Sequence, residues 1–231
     1  MALDDRHNTW IVIPAFNEGG VIREVTRPLL QAGYQVALVD DGSTDGSAEQ
    51  MLGLGVSFCR HAVNLGQGAA LQTGMRLALN NGADYIVTFD ADGQHCAEDI
   101  ERLLEPLVAG RCQVTLGSRF ISPGGTVGIP FLRKVLLRSG AWYTRVVLGL
   151  QVTDMHNGLR GFTAGAARKL KITQNRMGHA TQILHQVWEQ GMTYEEIPVT
   201  IRYTEYSLAK GQRLSNLLNV LWESAVEVFR R

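Results

Sequence analysis

The chain has 231 residues, a length that fits one sizeable α/β domain or at most two small ones. Hydrophobic residues make up 45% of the chain and charged residues 19%, an ordinary globular balance that argues against intrinsic disorder. The 22 Lys and Arg residues balance the 22 Asp and Glu residues, so the chain is neutral overall and we expect no nucleic-acid partner.

The charges are unevenly distributed along the chain. Residues 1–105 contain 15 acidic and 6 basic residues, whereas residues 106–188 contain 11 basic residues and one acid, Asp154. An acidic half suits a bound metal ion, and a basic middle suits phosphate groups or an anionic surface. Solvated charge on helix faces is the alternative interpretation of the basic block.

The three cysteines, Cys59, Cys96 and Cys112, form no C-x-x-C pair, and their odd number argues against a disulfide framework. Reduced thiols in the cytoplasm are the simplest interpretation. Residues 1–9 lack the apolar stretch of a signal peptide, and no run of about 18 apolar residues predicts a membrane-spanning helix. We therefore expect a cytoplasmic protein.

Apolar runs and helical patterns alternate along the first half of the chain. The first apolar run ends at Pro14 and predicts a buried strand, after which Asn17 is expected to cap a helix that ends at Gly33. This alternation with short loops predicts an α/β fold with a mostly parallel sheet flanked by helices. The predicted strands are 10–13, 35–39, 56–60, 85–89 and 114–117, and the predicted helices are about 18–31, 66–80 and 98–108.

Two amphipathic helices are predicted in the second half, at about 129–150 and 212–230. The first carries Lys134, Arg138 and Arg145 within about 40° of one another on a helical wheel, opposite apolar and aromatic residues. Such a helix is typical of proteins that lie on an anionic membrane surface, and a core-packed helix with a solvated basic stripe is the alternative. The second helix is expected to pack on the core, with a membrane surface or a partner protein as the alternative.

Two aspartates, Asp90 and Asp92, follow the strand predicted at 85–89 and flank the small residue Ala91. Side chains two residues apart in a strand point to the same face about 6.5–7 Å from each other. Two carboxylates that close are costly unless a positive charge lies between them, and Mg²⁺ and Mn²⁺ favour such oxygens and share them with substrate phosphates. The sequence therefore predicts a metal site at Asp90 and Asp92, to which Gln94 could add a neutral oxygen. A solvated turn is the alternative.

Polar loops also follow the first two predicted strands. Asn17 and Glu18 follow the first strand, and Asp40 and Asp41 follow the second. Because ligands of parallel sheets bind beyond the carboxyl ends of the strands, we expect both loops and the aspartate pair to line one crevice. The carboxylates of Glu18 and Asp41 can accept hydrogen bonds from a ribose hydroxyl or a base N–H. Helix capping and turn formation are additional roles for the loop residues.

Two other classes of nucleotide-binding enzyme need a glycine-rich loop after the first strand. A dinucleotide-binding oxidoreductase needs G-x-G-x-x-G there, and a nucleotidyltransferase needs a Gly-rich basic loop. The chain has Pro-Ala-Phe-Asn-Glu at residues 14–18 instead. Both classes are therefore disfavoured.

Taken together, these loops resemble glycosyltransferase family 2, whose members have the GT-A fold, a Rossmann-like, mostly parallel sheet. The pattern is similar to the branch of dolichyl-phosphate mannose synthases, which glycosylate polyprenyl phosphates, and it covers nearly the whole chain. It implies one domain over 1–231, with a nucleotide-sugar and metal-binding part at 1–118 and an acceptor-side, C-terminal helical part at 119–231. The segments that carry the resemblance are 11–18, 39–47, 64–70, 89–95, 117–120, 154–162, 197–202 and 210–211.

The resemblance also implies roles for individual residues. The nucleoside would be held by Pro14, Phe16, Glu18, Val39 and Asp41. The metal and the diphosphate would be held by Asp90, Ala91, Asp92 and Gln94, and a C-terminal loop beyond the last strand would close over the donor with Arg202 and Lys210. The catalytic candidates are Asp92, Asp154 and Arg119.

The resemblance implies a single displacement with inversion at the anomeric carbon. A phosphate acceptor is already ionised at neutral pH and needs cations to bind it, for which the candidates are Arg119, Arg133 and Arg138. A hydroxyl acceptor needs a general base, and Asp154 is the candidate. A structural role for Asp154, as a helix cap or as a partner of Arg160, is the alternative.

The sequence thus predicts an enzyme that transfers a sugar from a nucleotide-sugar to a polyprenyl phosphate with the help of Mg²⁺ or Mn²⁺. We expect it to be peripheral at the inner face of the membrane, with a small membrane protein as a candidate partner. One alternative is a family 2 transferase that adds a sugar to a glycan or glycolipid hydroxyl in cell-surface polysaccharide synthesis. A non-catalytic module that binds nucleotide-sugars is the other.

Overall fold

The computed structural model describes residues 6, 8–121, 125–127, 152–176 and 178–202. The helices predicted at about 129–150 and 212–230 lie outside the described residues, as do Arg133, Arg138 and Lys210. The elements of the described residues are, in chain order, β1 (Thr9–Ala15), α1 (Ile22–Gln31), β2 (Gln35–Asp40), α2 (Ser47–Met51), β3 (Ser57–Arg60), α3 (Gln67–Asn80), β4 (Tyr85–Thr88), α4 (Asp99–Val108), β5 (Val114–Ser118), β6 (Gly125–Val127), β7 (Arg160–Thr163), α5 (Ala164–Lys169), α6 (His179–Glu189), β8 (Tyr194–Pro198) and β9 (Thr200–Arg202).

Seven of these strands form one sheet in the order β3-β2-β1-β4-β7-β5-β8. The pairs are parallel except those of β7, which runs antiparallel to both β4 and β5. The predicted α/β fold with a mostly parallel sheet is therefore confirmed. The strand order turns back between β1 and β4, and in sheets of this kind ligands bind at such a point. The remaining pair, β6 and β9, forms a small parallel sheet of its own.

The central strand β1 is buried along its whole length. Val12 enters the core on one side of the sheet, whereas Ile11 and Ile13 enter the core on the other side. A parallel strand covered on both faces needs such a continuous apolar run, which is the signal that predicted it. Gly74 of α3 allows close helix–sheet packing, since a Cβ at this position would overlap the side chain of Val12.

The first helix begins later than predicted. Asn17 has a φ of 56°, and its side-chain oxygen accepts a hydrogen bond from the backbone N–H of Thr44 at 2.9 Å. The backbone oxygen of Glu18 accepts from Val21 and Ile22, which closes a turn before α1 starts at Ile22. The prediction that Asn17 caps this helix is wrong because its side chain joins two loops instead.

Most of the other predicted boundaries agree with the structure within two residues. The strand predicted at 85–89 ends at Thr88, and the N–H of Phe89 donates to the backbone oxygen of Val12 at 3.0 Å. The prediction that Arg202 lies on a loop is wrong, because it ends strand β9. Within the described ranges, no helix has the length and apolar character needed to cross a membrane.

Candidate active site

The polar loops predicted to form a site follow β1, β2 and β4, which are neighbours in the sheet. The backbone N–H of Asn17 donates to the hydroxyl of Ser43 at 2.8 Å, and that of Asp41 donates to the backbone oxygen of Ala15 at 2.8 Å. Gly19 donates from its N–H to the carboxylate of Asp45 at 3.2 Å. The first two loops are therefore held together at the edge of the sheet from which the aspartate pair also projects.

The aspartate pair carries concentrated negative charge. Burial and the charge of Asp90 raise the pKa of Asp92 to about 6, and Glu18 on the first loop adds to the increase. Burial also disfavours ionisation of Asp90, but a hydrogen bond and positive charge from His95 outweigh it and leave the pKa of Asp90 below its ordinary value. One carboxylate is thus strongly ionised beside another that resists ionisation, as expected for two acids that share a small site.

Three residues to which no role had been assigned surround Asp90. The side-chain amide of Gln67 lies 2.9 Å from Oδ1, and Nε2 of His95 lies 3.0 Å from Oδ2. Gly158 lies so close that a Cβ would overlap the carboxylate. Each of these residues falls within a segment that carries the family resemblance, and that is the signal by which they could have been found.

The carboxylate of Asp41 forms its hydrogen bonds with the segment between β3 and α3. It accepts hydrogen bonds from the backbone N–H groups of Leu65 at 3.0 Å and Gly66 at 2.7 Å, and Nδ1 of His61 lies 2.7 Å from Oδ1. The other ring nitrogen of His61 lies 2.9 Å from the hydroxyl of Thr73. Asp41 therefore organises the start of α3. Its predicted contact with a nucleoside stays a prediction.

The other residues predicted to hold the donor differ in their exposure. Phe16 is 41% exposed at the end of β1, whereas Val39 and Ala91 are buried. Pro14 is buried within β1. The three buried residues lie in the protein interior near the carboxyl ends of the strands, whereas Phe16 presents an aromatic surface there. Their roles in donor binding stay predictions.

Strand β9 brings Arg202 to the aspartate loop. The N–H of Arg202 donates to the backbone oxygen of Gln94 at 2.9 Å, and His95 and Ile201 form a backbone bridge. The N–H of Gln94 in turn donates to the carboxylate of Asp92 at 3.0 Å. The two predicted donor-binding segments, far apart in sequence, therefore meet in the structure.

Arg119 and Asp154 form a buried ion pair. Nε of Arg119 lies 2.6 Å from Oδ2 of Asp154, and the backbone N–H of Arg119 donates to the same oxygen at 3.1 Å. Their side chains are only 9% and 1% exposed. The side-chain amide of Asn157 also donates to Asp154 at 3.3 Å. Asp154 is thus positioned as the counter-ion of Arg119, and the roles predicted for both residues in catalysis stay predictions.

The structural alternative for Asp154 stays a prediction, because the charge of Asp154 acts on Arg160 although Asp154 is not among the hydrogen-bond partners of Arg160. The guanidinium of Arg160 donates to the backbone oxygens of Met155 at 2.9 Å, Asn157 at 3.0 Å and Ala180 at 3.1 Å. Arg160 is almost fully buried, and burial lowers its pKa to about 10. It therefore ties the segment before β7 to helix α6.

The sequence model of glycosyl transferase family 2 matches residues 10–186. The chain belongs to this family. The match covers both aspartate-containing loops, Gln67 and the buried ion pair, and it confirms the resemblance predicted from the sequence.

Two relatives of this family 2 transferase are similar over most of its length. It is 32% identical over 222 residues to UDP-N-acetylglucosamine–dolichyl-phosphate N-acetylglucosaminyltransferase of Methanococcus voltae, which covers 87% of this chain and 88% of the relative. It is 31% identical over 215 residues to polyprenol monophosphomannose synthase of Mycolicibacterium smegmatis, which covers 87% of this chain and 80% of the relative.

Among solved structures, the transferase is similar to glucosyl-3-phosphoglycerate synthase from Mycobacterium tuberculosis in complex with Mn²⁺, uridine diphosphate and phosphoglyceric acid. The TM-score is 0.74 at 16% sequence identity, and the similarity covers 98% of this chain and 78% of that one. This similarity confirms the predicted GT-A fold.

Proposed function

We propose that this glycosyltransferase moves a sugar from a nucleoside-diphosphate donor to a polyprenyl phosphate, with inversion at the anomeric carbon. An acceptor phosphate oxygen would form the new bond to the anomeric carbon, and the bond to the diphosphate would break with its electron pair leaving on the nucleoside diphosphate. The observation that carries the proposal is the position of Asp90, Asp92 and Arg202 where the strand order turns back. The printed functions of the two relatives support the acceptor.

A divalent cation, Mg²⁺ or Mn²⁺, fits the residues at this point. In the part of the chain that the structure describes, no three His, Cys, Asp or Glu side chains are grouped to hold a metal by themselves. The raised pKa of Asp92 shows that negative charge is concentrated at the two carboxylates, and a cation would relieve it. Such a cation would take its remaining ligands from diphosphate oxygens. Asp90, Asp92 and the side chain of Gln94 would hold it. When bound, the cation would neutralise charge on the leaving diphosphate.

Arg202 is the described cation best placed to assist the leaving group. Its backbone is held at Gln94, two residues from Asp92, while its side chain is exposed. A guanidinium there would bind diphosphate oxygens and stabilise the negative charge that grows on them during transfer. Phe16, exposed at the neighbouring loop, would pack against the nucleoside.

The ion pair of Asp154 supports a phosphate acceptor over a hydroxyl acceptor. A general base must take a proton, but the Asp154 carboxylate is buried against Arg119 and receives four hydrogen bonds from Arg119 and Asn157. These hydrogen bonds occupy the acceptor positions with which Asp154 would take a proton from an acceptor hydroxyl. An ionised phosphate needs no base, so the geometry and the proposed acceptor agree.

A panel of UDP-sugars and GDP-sugars with Mg²⁺ or Mn²⁺ tests the proposal. A short polyprenyl phosphate and a glycolipid with only hydroxyl groups serve as alternative acceptors, and lipid-linked sugar and released nucleotide are measured. We expect transfer to the phosphate with one donor class, loss of transfer on chelation, and loss of at least about 100-fold in Asp92→Asn. Transfer to the hydroxyl acceptor alone, or donor binding without transfer or hydrolysis, contradicts the proposal.

We also propose that the enzyme works as a peripheral protein at the inner face of a membrane. The basic, amphipathic pattern at about 129–150 and a lipid-linked acceptor support this location. Flotation with anionic and neutral vesicles tests it, with and without co-expressed small membrane proteins. Absence of binding to anionic vesicles under both conditions contradicts the proposal.

A further inference from the structure

The carboxylate of Asp90 is held on both of its oxygens by side chains from different parts of the chain. Gln67, the first residue of α3, donates its amide N–H to Oδ1 at 2.9 Å. His95, on the loop after β4, places Nε2 3.0 Å from Oδ2. A carboxylate has about four acceptor positions, so each oxygen keeps one for an outside ligand beside these contacts.

The amide of Gln67 is positioned by close packing around the first turn of α3. The N–H of Gly68 donates to the backbone oxygen of Asn175 at 2.8 Å. A Cβ at Gly66 would come within 2.8 Å of the backbone carbon of Asn175, and one at Gly68 would come within 2.9 Å of Cβ of His179. On the other side, the carboxylate of Asp41 binds the N–H of Gly66. The turn that carries Gln67 is therefore held from two sides.

His95 is buried beside Asp90. Its side chain is 3% exposed and lies edge-on against Phe89, with ring centroids 5.3 Å apart. Its other ring nitrogen, Nδ1, is buried without a hydrogen-bond partner among the described residues. Burying an imidazole nitrogen without a partner is unfavourable. The ring nevertheless stays in this position, where Nε2 contacts Asp90.

We infer that Gln67 and His95 are positioning residues that hold Asp90 in a single orientation for the divalent cation. The inference rests on the proposed function, since it concerns the same cation site. Hydrogen bonds to a ligating carboxylate orient it, and loss of such a partner typically costs about 10- to 100-fold in metal affinity. Neither side chain needs to touch the cation or the substrate for this effect.

Binding of Mn²⁺ to the intact protein, measured by electron paramagnetic resonance with saturating UDP or GDP, tests the inference. We expect Gln67→Met and His95→Leu to weaken Mn²⁺ binding about 10- to 100-fold. His95→Gln keeps a donor at the same reach and should stay within a few-fold of the wild type. Gln72→Met is the matched control, because Gln72 lies on the same helix and binds the backbone of Ile172 instead.

The possible outcomes separate this inference from the proposed function. Wild-type affinity in both Gln67→Met and His95→Leu overturns the inference alone, as does an equal loss in Gln72→Met. No Mn²⁺ binding by the wild type with either nucleotide overturns the proposed cation site and the inference with it. If Gln67→Met does not fold, as judged by its thermal transition, Mn²⁺ binding by His95→Leu and His95→Gln is compared instead. Equal affinity in these two variants overturns the inference.

Discussion

Gly158 illustrates how one residue without a side chain shapes the candidate active site. The hydroxyl of Thr88, at the end of β4, donates to the backbone oxygen of Gly158 at 2.6 Å. This contact presses the segment before β7 against the aspartate loop, where a Cβ at position 158 would lie 2.8 Å from Cγ of Asp90. Space, rather than an unusual backbone angle, therefore requires glycine here.

Gly158→Ala is expected to displace the carboxylate of Asp90 and to lower kcat/KM by at least about tenfold, because a misplaced ligand costs much of the rate. Steady-state kinetics and thermal unfolding measure the two effects separately. Gly165→Ala is the control, since among the described residues a Cβ there would meet the hydroxyl of Thr163 only at 4.0 Å, an ordinary contact distance. It should keep wild-type activity, and an equal loss in both variants would contradict the explanation.

His156 makes the stability of the protein depend on pH. Burial lowers the pKa of His156 to about 4, with Asp154 opposing and Arg160 and Arg119 reinforcing the shift. The unfolded chain takes up this proton near pH 6.5 whereas the folded chain does not, so this contribution to the free energy of unfolding decreases as the pH falls from about 6.5 to 4.

Urea unfolding of the wild type and of His156→Gln at pH 7.5 and pH 5.0 tests this dependence. The stability of the wild type relative to the variant should be smaller at pH 5.0, because only the wild type has this histidine to protonate on unfolding. A difference that is unchanged or larger at pH 5.0 would refute the assignment.

At the scale of elements, helix α6 holds an extended segment that pairs with no strand of the described residues. Gln182, Gln186 and Gln190 follow one another at intervals of four residues and face the backbone of residues 169–174. Gln182 accepts from the N–H groups of Thr173 and Gln174, and Gln186 both accepts from and donates to Lys171. These amides replace the hydrogen bonds that a neighbouring strand would supply. The segment then continues to Asn175, which packs on the first turn of α3.

Gln182→Leu is expected to loosen this segment, because the N–H groups of Thr173 and Gln174 lose their acceptor. Amide hydrogen exchange should become faster at both positions by about tenfold or more, in proportion to the local free energy lost. Gln190→Leu is the control, since its contact with the backbone oxygen of Lys169 is longer, at 3.4 Å. Equal exchange in the wild type and Gln182→Leu would show that other contacts hold the segment.

At the scale of the whole molecule, the Arg119–Asp154 pair joins the end of β5 to the segment that precedes β7. Strand β7 runs against β4 and β5, so this segment returns to the edge of the sheet where the three polar loops lie. Both residues of the buried pair belong to the predicted acceptor-side part, 119–231, so the pair holds the start of that part against its later segment before β7. Loss of activity on changing Asp154 would by itself not identify a general base.

Asp154→Asn is expected to lower the free energy of unfolding by about 3–5 kcal/mol, because it leaves the buried charge of Arg119 without its counter-ion. The double variant with Arg119→Met should lose less than the sum of the single changes. Glu105→Gln is the control, because it breaks a surface pair with Arg111 whose side chains are 61% and 48% exposed, and its effect should be much smaller. Additive losses for Arg119 and Asp154 would mean that the pair does not act as a unit.

The sequence by itself determined the fold class, the family and the position of the aspartate pair. These features depend on local patterns: apolar runs such as 10–13, helical periodicity, and polar residues directly after strands. The helix start near Asn17 was mispredicted because capping and loop-bridging use the same side-chain oxygen, and only a second loop nearby decides between them.

Tertiary structure alone decided which of several chemically suitable partners each charged residue takes. Both Arg119 and Arg160 suit Asp154 by charge, but the reversed strand β7 directs Arg160 to backbone oxygens and leaves Asp154 to Arg119. The hydrogen bond from the amide of Gln67 to Asp90 is likewise a product of tertiary structure, because it joins the start of α3 to the loop after β4. Such contacts link residues distant in sequence, and their geometry follows from strand order and packing rather than from any local pattern.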